Sequence, residues 1–431
     1  MSQAPLRIAI AGLGTVGAGT FELIRLQGDL IAARCGRPIV VRAVSARERA
    51  KERPLDLSRV RWFDDPLAMA KDPEIDVVVE LIGGADGVAK AVIEAAIGAG
   101  HHVVSTNKAL LAVHGTALAR AAEAAGVTLA YEAAVAGGIP VIKSVREGLA
   151  ANGISRIYGI LNGTCNYILT SMRETGREFA DVLAEAQELG YAEADPGFDI
   201  DGVDTAHKLA ILTALVYGCE VDFAGVYVEG IRAVSALDIG YADELGYRIK
   251  LLGMAARVEG GVEQRVHPCM VPRESPIASV DGVFNAVVAE GDFVGTVLSE
   301  GRGAGAGPTA SAVVADLIDI ARGVFIPTFA LPASKLRRLA STPIEHHVGS
   351  HYVRLMVVDR PGVIADVAAA LRDAEISVEA MLQHGRSPDE AVPVVITTHE
   401  TTGAAMDSAL RRIADLGAVL EPPRRIRIEA L

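Results

Sequence analysis

Leu6-Arg7-Ile8-Ala9-Ile10-Ala11-Gly12-Leu13-Gly14-Thr15-Val16-Gly17 decides the reading of the fold. A short, mostly apolar run meets a three-glycine turn, and a helix-like stretch follows from Ala18. Strand, turn and helix in that order make a dinucleotide fingerprint. The first glycine permits the tight turn, the second lets backbone approach a pyrophosphate, and the third lets helix and strand pack closely. Gly12, Leu13, Gly14, Thr15, Val16 and Gly17 are therefore candidate cofactor contacts. A GxGxxG alone is weak, but further strand signals at Ile39 to Val44, Asp76 to Leu81, His101 to Ser105 and Val127 to Tyr131 follow it. Together they predict a Rossmann-like dinucleotide-binding domain over residues 1–150.

Working outward, the acidic residue that usually grips a ribose 2′-OH should close the second strand. Here Val44-Ser45-Ala46-Arg47 offers no carboxylate until Glu48. Arg47 or Arg49 can meet a 2′-phosphate, which favours NADP(H) over NAD(H); the plainer alternative is a solvated surface arginine. Thr106-Asn107-Lys108 follows the strand ending at Ser105, where open α/β sheets place ligands. Lys108 there faces the cofactor crevice and is a candidate cofactor contact; the plainer alternative is a solvated helix-start lysine, which is unfavourable on dipole grounds.

The chain has 431 residues, which suggests roughly three domains. Half the residues are hydrophobic and 22% are charged, the balance of a globular protein. A net charge of −13 argues against a nucleic-acid partner and for a small-molecule one. The longest run without a charge, Ile157 to Met172, carries Asn162, Gly163 and Asn166 and is no membrane span. Cys35, Cys165, Cys219 and Cys269 are scattered, with no CxxC pair, and read as reduced, buried thiols. Four glycines break the resemblance of Ile8 to Gly19 to a signal segment, so the chain reads as cytoplasmic.

A second domain, α+β, is expected over 151–322. Its strand signals are Ile154 to Leu161, Phe284 to Ala289 and Phe293 to Leu298, with a hairpin of Lys250 to Val258 and Val262 to Val271 joined by Glu259-Gly260-Gly261. The informative stretch is Gly190-Tyr191-Ala192-Glu193-Ala194-Asp195-Pro196-Gly197-Phe198-Asp199-Ile200-Asp201-Gly202-Val203-Asp204-Thr205-Ala206-His207-Lys208. Asp204 and Lys208 share a helix face, and Glu193 and Asp199 lie on the loop leading in. An acidic helix start with one exposed ion pair, worth ~0.3 to 0.5 kcal/mol, would explain Asp201. It gives no reason for a lysine to head the apolar run Leu209-Ala210-Ile211-Leu212. A lysine there, among carboxylates, is suited to giving up a proton in a cleft. Further on, Glu300 to Thr309 holds four glycines and opens the second domain's last helix, which reaches about Arg322 and has a return to the first domain open to it: either the glycine backbone approaches a cofactor or the stretch is a flexible connector.

These motifs resemble the homoserine dehydrogenase family over nearly the whole chain. The matching stretches are Gly12 to Gly17, Ser105 to Lys108, Tyr131 to Pro140, Asn162-Gly163-Thr164-Cys165-Asn166 and, most specifically, Gly190 to Lys208. The resemblance implies NAD(P)-linked interconversion of L-aspartate 4-semialdehyde and L-homoserine, on the route to threonine, methionine and isoleucine. It implies Lys208 as proton donor, Lys108 as a second active-site lysine, Asp204 and Glu193 against homoserine, and Asp199 and Tyr191 on the substrate side. Thr106, Gly190 and Gly303 would lie against the cofactor. A monovalent cation such as Na+ is implied beside Glu132 and the carbonyls of Val135, Gly137 and Ile139; oxygen ligands suit a hard cation.

Residues 323–349 read as a linker, with a truncation point near Ser341, and 350–431 as a βαββαβ module that resembles an ACT domain. Its elements are Tyr352 to Val358, Val363 to Leu371, Ser377 to Leu382, Ala391 to Thr397, Ala404 to Leu416 and Arg424 to Glu429, with a turn at Asp359-Arg360-Pro361-Gly362. The resemblance implies threonine as effector; the alternative is a dimerisation module without a ligand. A homo-oligomer is expected in either case. The pairs His101-His102 and His346-His347 lack metal spacing. No aspartokinase-like segment precedes the dehydrogenase, so a single activity is expected. Two other functions stay open: an amino-acid sensor without chemistry, and a dehydrogenase for another amino-acid aldehyde.

Overall fold

The computed structural model describes residues 4–384 and 391–431. Leu6–Ala11 (β1), Ile39–Ser45 (β2), Arg61–Trp62 (β3), Val77–Glu80 (β4), His102–Ser105 (β5) and Leu129–Ala130 (β6) form a parallel sheet in the order β3-β2-β1-β4-β5-β6. The apolar residues of β1 and all of β4 are buried, as strands covered by helices on both faces require. The strand order reverses between β1 and β4, which opens a crevice at their carboxyl ends. The glycine turn sits there. Gly12 has φ 107, and a Cβ on it would come 2.6 Å from the Leu81 carbonyl oxygen. A Cβ on Gly17 would overlap the Gly12 carbonyl, whereas Gly14 faces open space. Each glycine is thus needed for a different reason, and the second leaves room for a ligand.

Helix Thr15–Leu26 begins three residues before the apolar spacing suggested, within the turn itself. The helix Gly28–Cys35 and the two-residue β3 carry no periodic signal and were not anticipated. Helix Ala306–Ala321 lies against helix Thr15–Leu26, where Gly19 lets the Ala306 carbonyl approach. Its Val313, Leu317 and Ile320 join Ile8, Ile10 and Phe21 in one core, so this helix completes the first unit.

The second sheet contains Ile154–Ile160 (β7), Tyr227–Val228 (β8), Tyr247–Val258 (β9), Gly261–Pro272 (β10), Phe284–Gly291 (β11) and Gly295–Arg302 (β12). β12 starts two residues later and ends four later than Phe293 to Leu298. Asp292 accepts hydrogen bonds from the amides of Gly153 and Phe293, and Gly295 has φ 71, so residues 292–294 turn. Glu300 to Arg302 are consequently strand, and the glycine-rich connector is confined to the residues before Ala306.

The segment 323–349 is no free tether. Phe329 is buried against Tyr131, with ring centroids 5.6 Å apart, and Ala340–Ser341 (β13) pairs with β10. The C-terminal module has the expected order: Val348–Val358 (β14), helix Val363–Asp373, Val378–Gln383 (β15), Ala391–Thr398 (β16), a two-residue Thr401–Thr402 (β17), helix Gly403–Ala414 and Arg424–Ile428 (β18). Its sheet joins the middle one, because β18 pairs in parallel with β10, giving β12-β11-β7-β9-β10-β18-β14-β16-β15. Alternate β10 residues face the module. Arg265 bonds Glu263 at 2.8 Å and Glu429 at 2.9 Å, and Glu263 also holds His347 at 2.8 Å. A cut near Ser341 would therefore strip a buried charged face, and the truncation read from sequence is not a clean one.

This seam carries a pH dependence. His267 and His351 are fully buried, and neither ring nitrogen of His351 has a hydrogen-bond partner among the described residues. Burial, with Arg425, Arg427 and His347 facing it, lowers His351 to about 3; burial, Arg427 and Arg265 lower His267. In the unfolded chain both titrate near ~6.5, so the unfolded state takes up protons first as pH falls. Stability is present in full above ~6.5 and is lost on acidification toward 3. We expect Tm to drop between pH 7.5 and 5, and less steeply in His351→Leu; parallel curves for the two proteins would refute the assignment.

Candidate active site

Helix Val203–Tyr217 starts at Gly202, held in the left-handed region at φ 85, and every residue from Asp204 to Leu215 is buried. Asp204 and Lys208 sit one turn apart on it. Lys208 Nζ lies 2.7 Å from Asp204 Oδ2 and 2.6 Å from the Leu161 carbonyl at the end of β7. Lys108, the first residue of helix Lys108–Ala124, arrives from the other domain and places Nζ 2.8 Å from Asp204 Oδ1. One carboxylate thus holds two ammonium groups. Asn162 fixes the arrangement: its Oδ1 caps the helix Gly163–Thr175 at the Cys165 amide, and its Nδ2 donates to both Asp199 Oδ1 and Asp204 Oδ2 at 2.8 Å.

The two lysines differ electrostatically. Lys208 has a side chain 10% exposed, and burial, aided by repulsion from Lys108, pushes it below the ordinary lysine range against the pull of Asp204. Lys108 is 35% exposed; burial opposes its charge, but Asp204, Asp199 and Glu193 outweigh it and hold it above that range. Burial works to raise Asp204, yet the two lysines keep it far below the carboxylate range. Asp199 is raised by burial and by the neighbouring Asp204 charge. The cluster therefore holds an anion, a cation favoured by its acidic neighbours and one lysine whose charge burial disfavours.

These residues line a cleft of about 410 Å³ together with Gly190, Tyr191, Thr164 and Gly303. Glu193 does not line it; its side chain is exposed on the loop outside, near enough for its charge to act on Lys108. Tyr191 is also exposed, its ring 4.8 Å from that of Tyr167. Asn285, which carried no sequence signal, fills the space where a Cβ of Gly303 would sit, and Gly303 in turn receives Gly137 at a distance no Cβ would allow. These contacts bring the middle sheet, the glycine connector and the first domain together at the cleft.

Glu80 was likewise missed, although an acid ending the apolar run Val77 to Val79 is a visible signal. Its buried carboxylate accepts the Ile82 and Gly83 amides and the Ser105 hydroxyl, while Ser105 Oγ accepts the Asn107 amide. Thr106 and Lys108 are set in place by this frame. At the other side of the glycine turn Arg47 is exposed without an acidic partner among the described residues. Arg49 and Arg53 stand over the Trp62 ring at 5.9 and 5.6 Å, and Arg53 also reaches the Leu13 carbonyl. Arg53 is a third arginine at that corner, unmarked by the sequence pattern.

Glu132, Val135, Gly137 and Ile139 fall in one reversed turn in which Ala136 and Gly137 have φ 55 and 46. Both Glu132 oxygens accept amides, from Ile142 and Lys143 at 2.9 Å, and the Ile139 carbonyl accepts that of Val141. The donors are oxygen atoms as a hard cation requires, but part of their capacity already serves the turn.

Family models match residues 12–132 (homoserine dehydrogenase, NAD binding domain), 140–318 (homoserine dehydrogenase) and 351–418 (ACT domain). The homoserine dehydrogenase of Pseudomonas aeruginosa is 46% identical over 99% of each chain, and that of Neisseria gonorrhoeae 45% identical over 99% of each. A solved homoserine dehydrogenase from Thiobacillus denitrificans gives a TM-score of 0.94 at 45% identity, covering 100% of this chain and 99% of that one. A hyperthermophilic archaeal homoserine dehydrogenase in complex with NADPH gives 0.63 at 27% identity, covering 73% of this chain and 97% of that one.

Proposed function

The chain belongs to the homoserine dehydrogenase family, and from that premise we propose that it interconverts L-aspartate 4-semialdehyde and L-homoserine. The observation that carries the reading is the Lys108–Asp204–Lys208 cluster inside a cleft shared with Gly303 and the substrate-side loop. A nicotinamide, when bound, supplies or takes the hydride. Hydride arriving at an aldehyde carbon leaves an alkoxide, and Lys208, whose pKa is pushed down, donates the proton to it. Lys108 remains charged and stabilises the developing oxyanion. The substrate ammonium is met by Asp199 with Glu193 at the rim, and its carboxylate by the amides of Gly163 and Thr164 at the start of a 13-residue helix. Tyr191 covers the cleft from the same side.

The test is NADPH oxidation with L-aspartate 4-semialdehyde beside other small aldehydes. A preference of at least about tenfold in kcat/KM for the semialdehyde is expected, and comparable turnover of an aldehyde lacking the amino-acid head would reject the assignment.

For the cofactor, the missing acid after β2 and the arginines around Trp62 support NADP(H) over NAD(H). Arg47→Ala with Arg53→Ala should reduce the NADPH:NADH ratio of kcat/KM by about tenfold or more, mostly through KM. An unchanged ratio would show that the 2′-phosphate is read elsewhere. Glu132 and the carbonyls of Val135, Gly137 and Ile139 would hold a monovalent cation that stiffens the turn against Gly303. For the C-terminal module we take threonine as effector at the Asp359–Gly362 turn, where Gly362 at φ 98 starts the helix Val363–Asp373 with no side chain in the way. The sheet of the middle domain and the C-terminal ACT module support a homo-oligomer. The four cysteines are free and buried, which supports a reducing, cytoplasmic setting, and no helix among the described residues is long and apolar enough to cross a membrane.

A further inference from the structure

A second cleft, of about 330 Å³, opens on the seam between the middle sheet and the C-terminal module and shares no lining residue with the catalytic cleft. Its size is that of a small-molecule site. One wall is the strip from Tyr227 to Val234; the other is helix Gly403–Ala414 and the start of β18. Charges of both signs converge in it. Arg424 is exposed there and has no acidic partner among the described residues. Glu229 and Asp407 each hold one arginine, Arg427 at 3.1 Å and Arg425 at 2.5 Å, and both carboxylates still expose over a third of their side chains, 38% and 36%. Their remaining lone pairs are available to a donor. A compact molecule with one anionic and one ammonium end meets both requirements, whereas a simple anion would face these two carboxylates and a third, Asp238, which also lines the cleft and is held by Arg354 and Tyr352.

The strip is mechanically tied to the catalytic site. Gly230 lies so close to Ile200 and Asp201 that a Cβ on it would overlap the Ile200 carbonyl. Ile231 donates its amide to that same carbonyl at 2.8 Å, and Glu229 donates its own to Val266 in β10. Ile200 is the neighbour of Asp199, and Gly202 starts the helix that carries Asp204 and Lys208. Packed backbone of this kind transmits a shift instead of absorbing it.

We propose that the seam cleft binds a small zwitterion, its carboxylate on Arg424 and its ammonium between Glu229 and Asp407, and that occupancy alters the substrate site through Gly230–Ile231. The site differs from the Asp359–Gly362 turn and does not depend on threonine acting there.

The test uses the full-length chain, titrated calorimetrically with L-threonine, L-methionine and L-isoleucine, and with propionate and n-propylamine as half-molecules. At least one amino acid should bind with Kd below about 1 mM, and the half-molecules at least about tenfold more weakly. Arg424→Gln and Arg424→Glu, both at an exposed position on the wall away from that strip, should each weaken binding by about tenfold or more, leave kcat and KM unchanged without the amino acid, and abolish its effect on the semialdehyde KM. Absence of binding by all three amino acids overturns the proposal, as does binding that both variants retain or that a half-molecule matches. Threonine inhibition that survives in both variants would overturn the cleft while leaving the effector reading of the turn intact.

Discussion

Lys208→Ala lowers kcat for semialdehyde reduction by roughly 10² to 10⁴, with NADPH binding nearly unchanged, because a general acid acts in the transition state and not on the resting complex. The geometry sets this expectation. Lys208 is buried against Leu161 and Asp204, so removing it takes away the proton and also leaves Asp204 half paired. Lys208→Arg should restore little, since a guanidinium keeps its proton at neutral pH. Both variants are measured by steady-state turnover and by NADPH titration. Turnover within about threefold of the unaltered enzyme would end the assignment, since loss of a general acid costs far more.

Asp204→Asn has the second large effect, a fall in kcat of roughly 10²-fold near pH 8 that is partly recovered toward pH 6. Asp204 is the anion that keeps two neighbouring ammonium groups charged. Its charge raises Lys208, opposing burial and Lys108, so its removal lets Lys208 titrate still lower. Reduction needs Lys208 protonated. Activity therefore drains away at a lower pH than before, and acidification restores the proton. A loss of equal size at every pH would mean that Asp204 acts on substrate position alone. The variant also leaves the buried Lys208 and the part-exposed Lys108 with a neutral partner, so it should unfold at lower temperature, with about 3 kcal/mol at stake for the buried Lys208 pair alone.

What the sequence made legible was local. The glycine turn declares itself because each glycine answers a steric demand within a few residues, and Asp204 and Lys208 declare themselves because four residues make one helical turn. The pairing of Lys108 with Asp204 joins two domains and has no spacing to betray it. Asn285 against Gly303 is hidden for the same reason. The seam is hidden from the pattern: Glu263, Arg265 and His267 alternate along β10 as a solvent face would, yet they are buried under Glu429 and His347. The parallel contact of β18 with β10 spans two residue pairs, too few for any sequence pattern. Glu193 shows the reverse limit. Its role rests on family resemblance, and its exposed side chain stands at the rim, outside the residues that line the cleft.

The division of labour between the two lysines is the central claim, and the pH dependence of kcat for NADPH-linked reduction, in Lys108→Gln beside Lys208→Ala, tests it most directly. The unaltered enzyme should lose activity as pH rises through the lowered Lys208 pKa. Lys108→Gln should be slower but keep that basic limb, displaced to higher pH because the repelling charge is gone. Lys208→Ala should have residual activity with the limb abolished. A limb that persists in Lys208→Ala and disappears in Lys108→Gln would assign the proton to Lys108 and contradict the account.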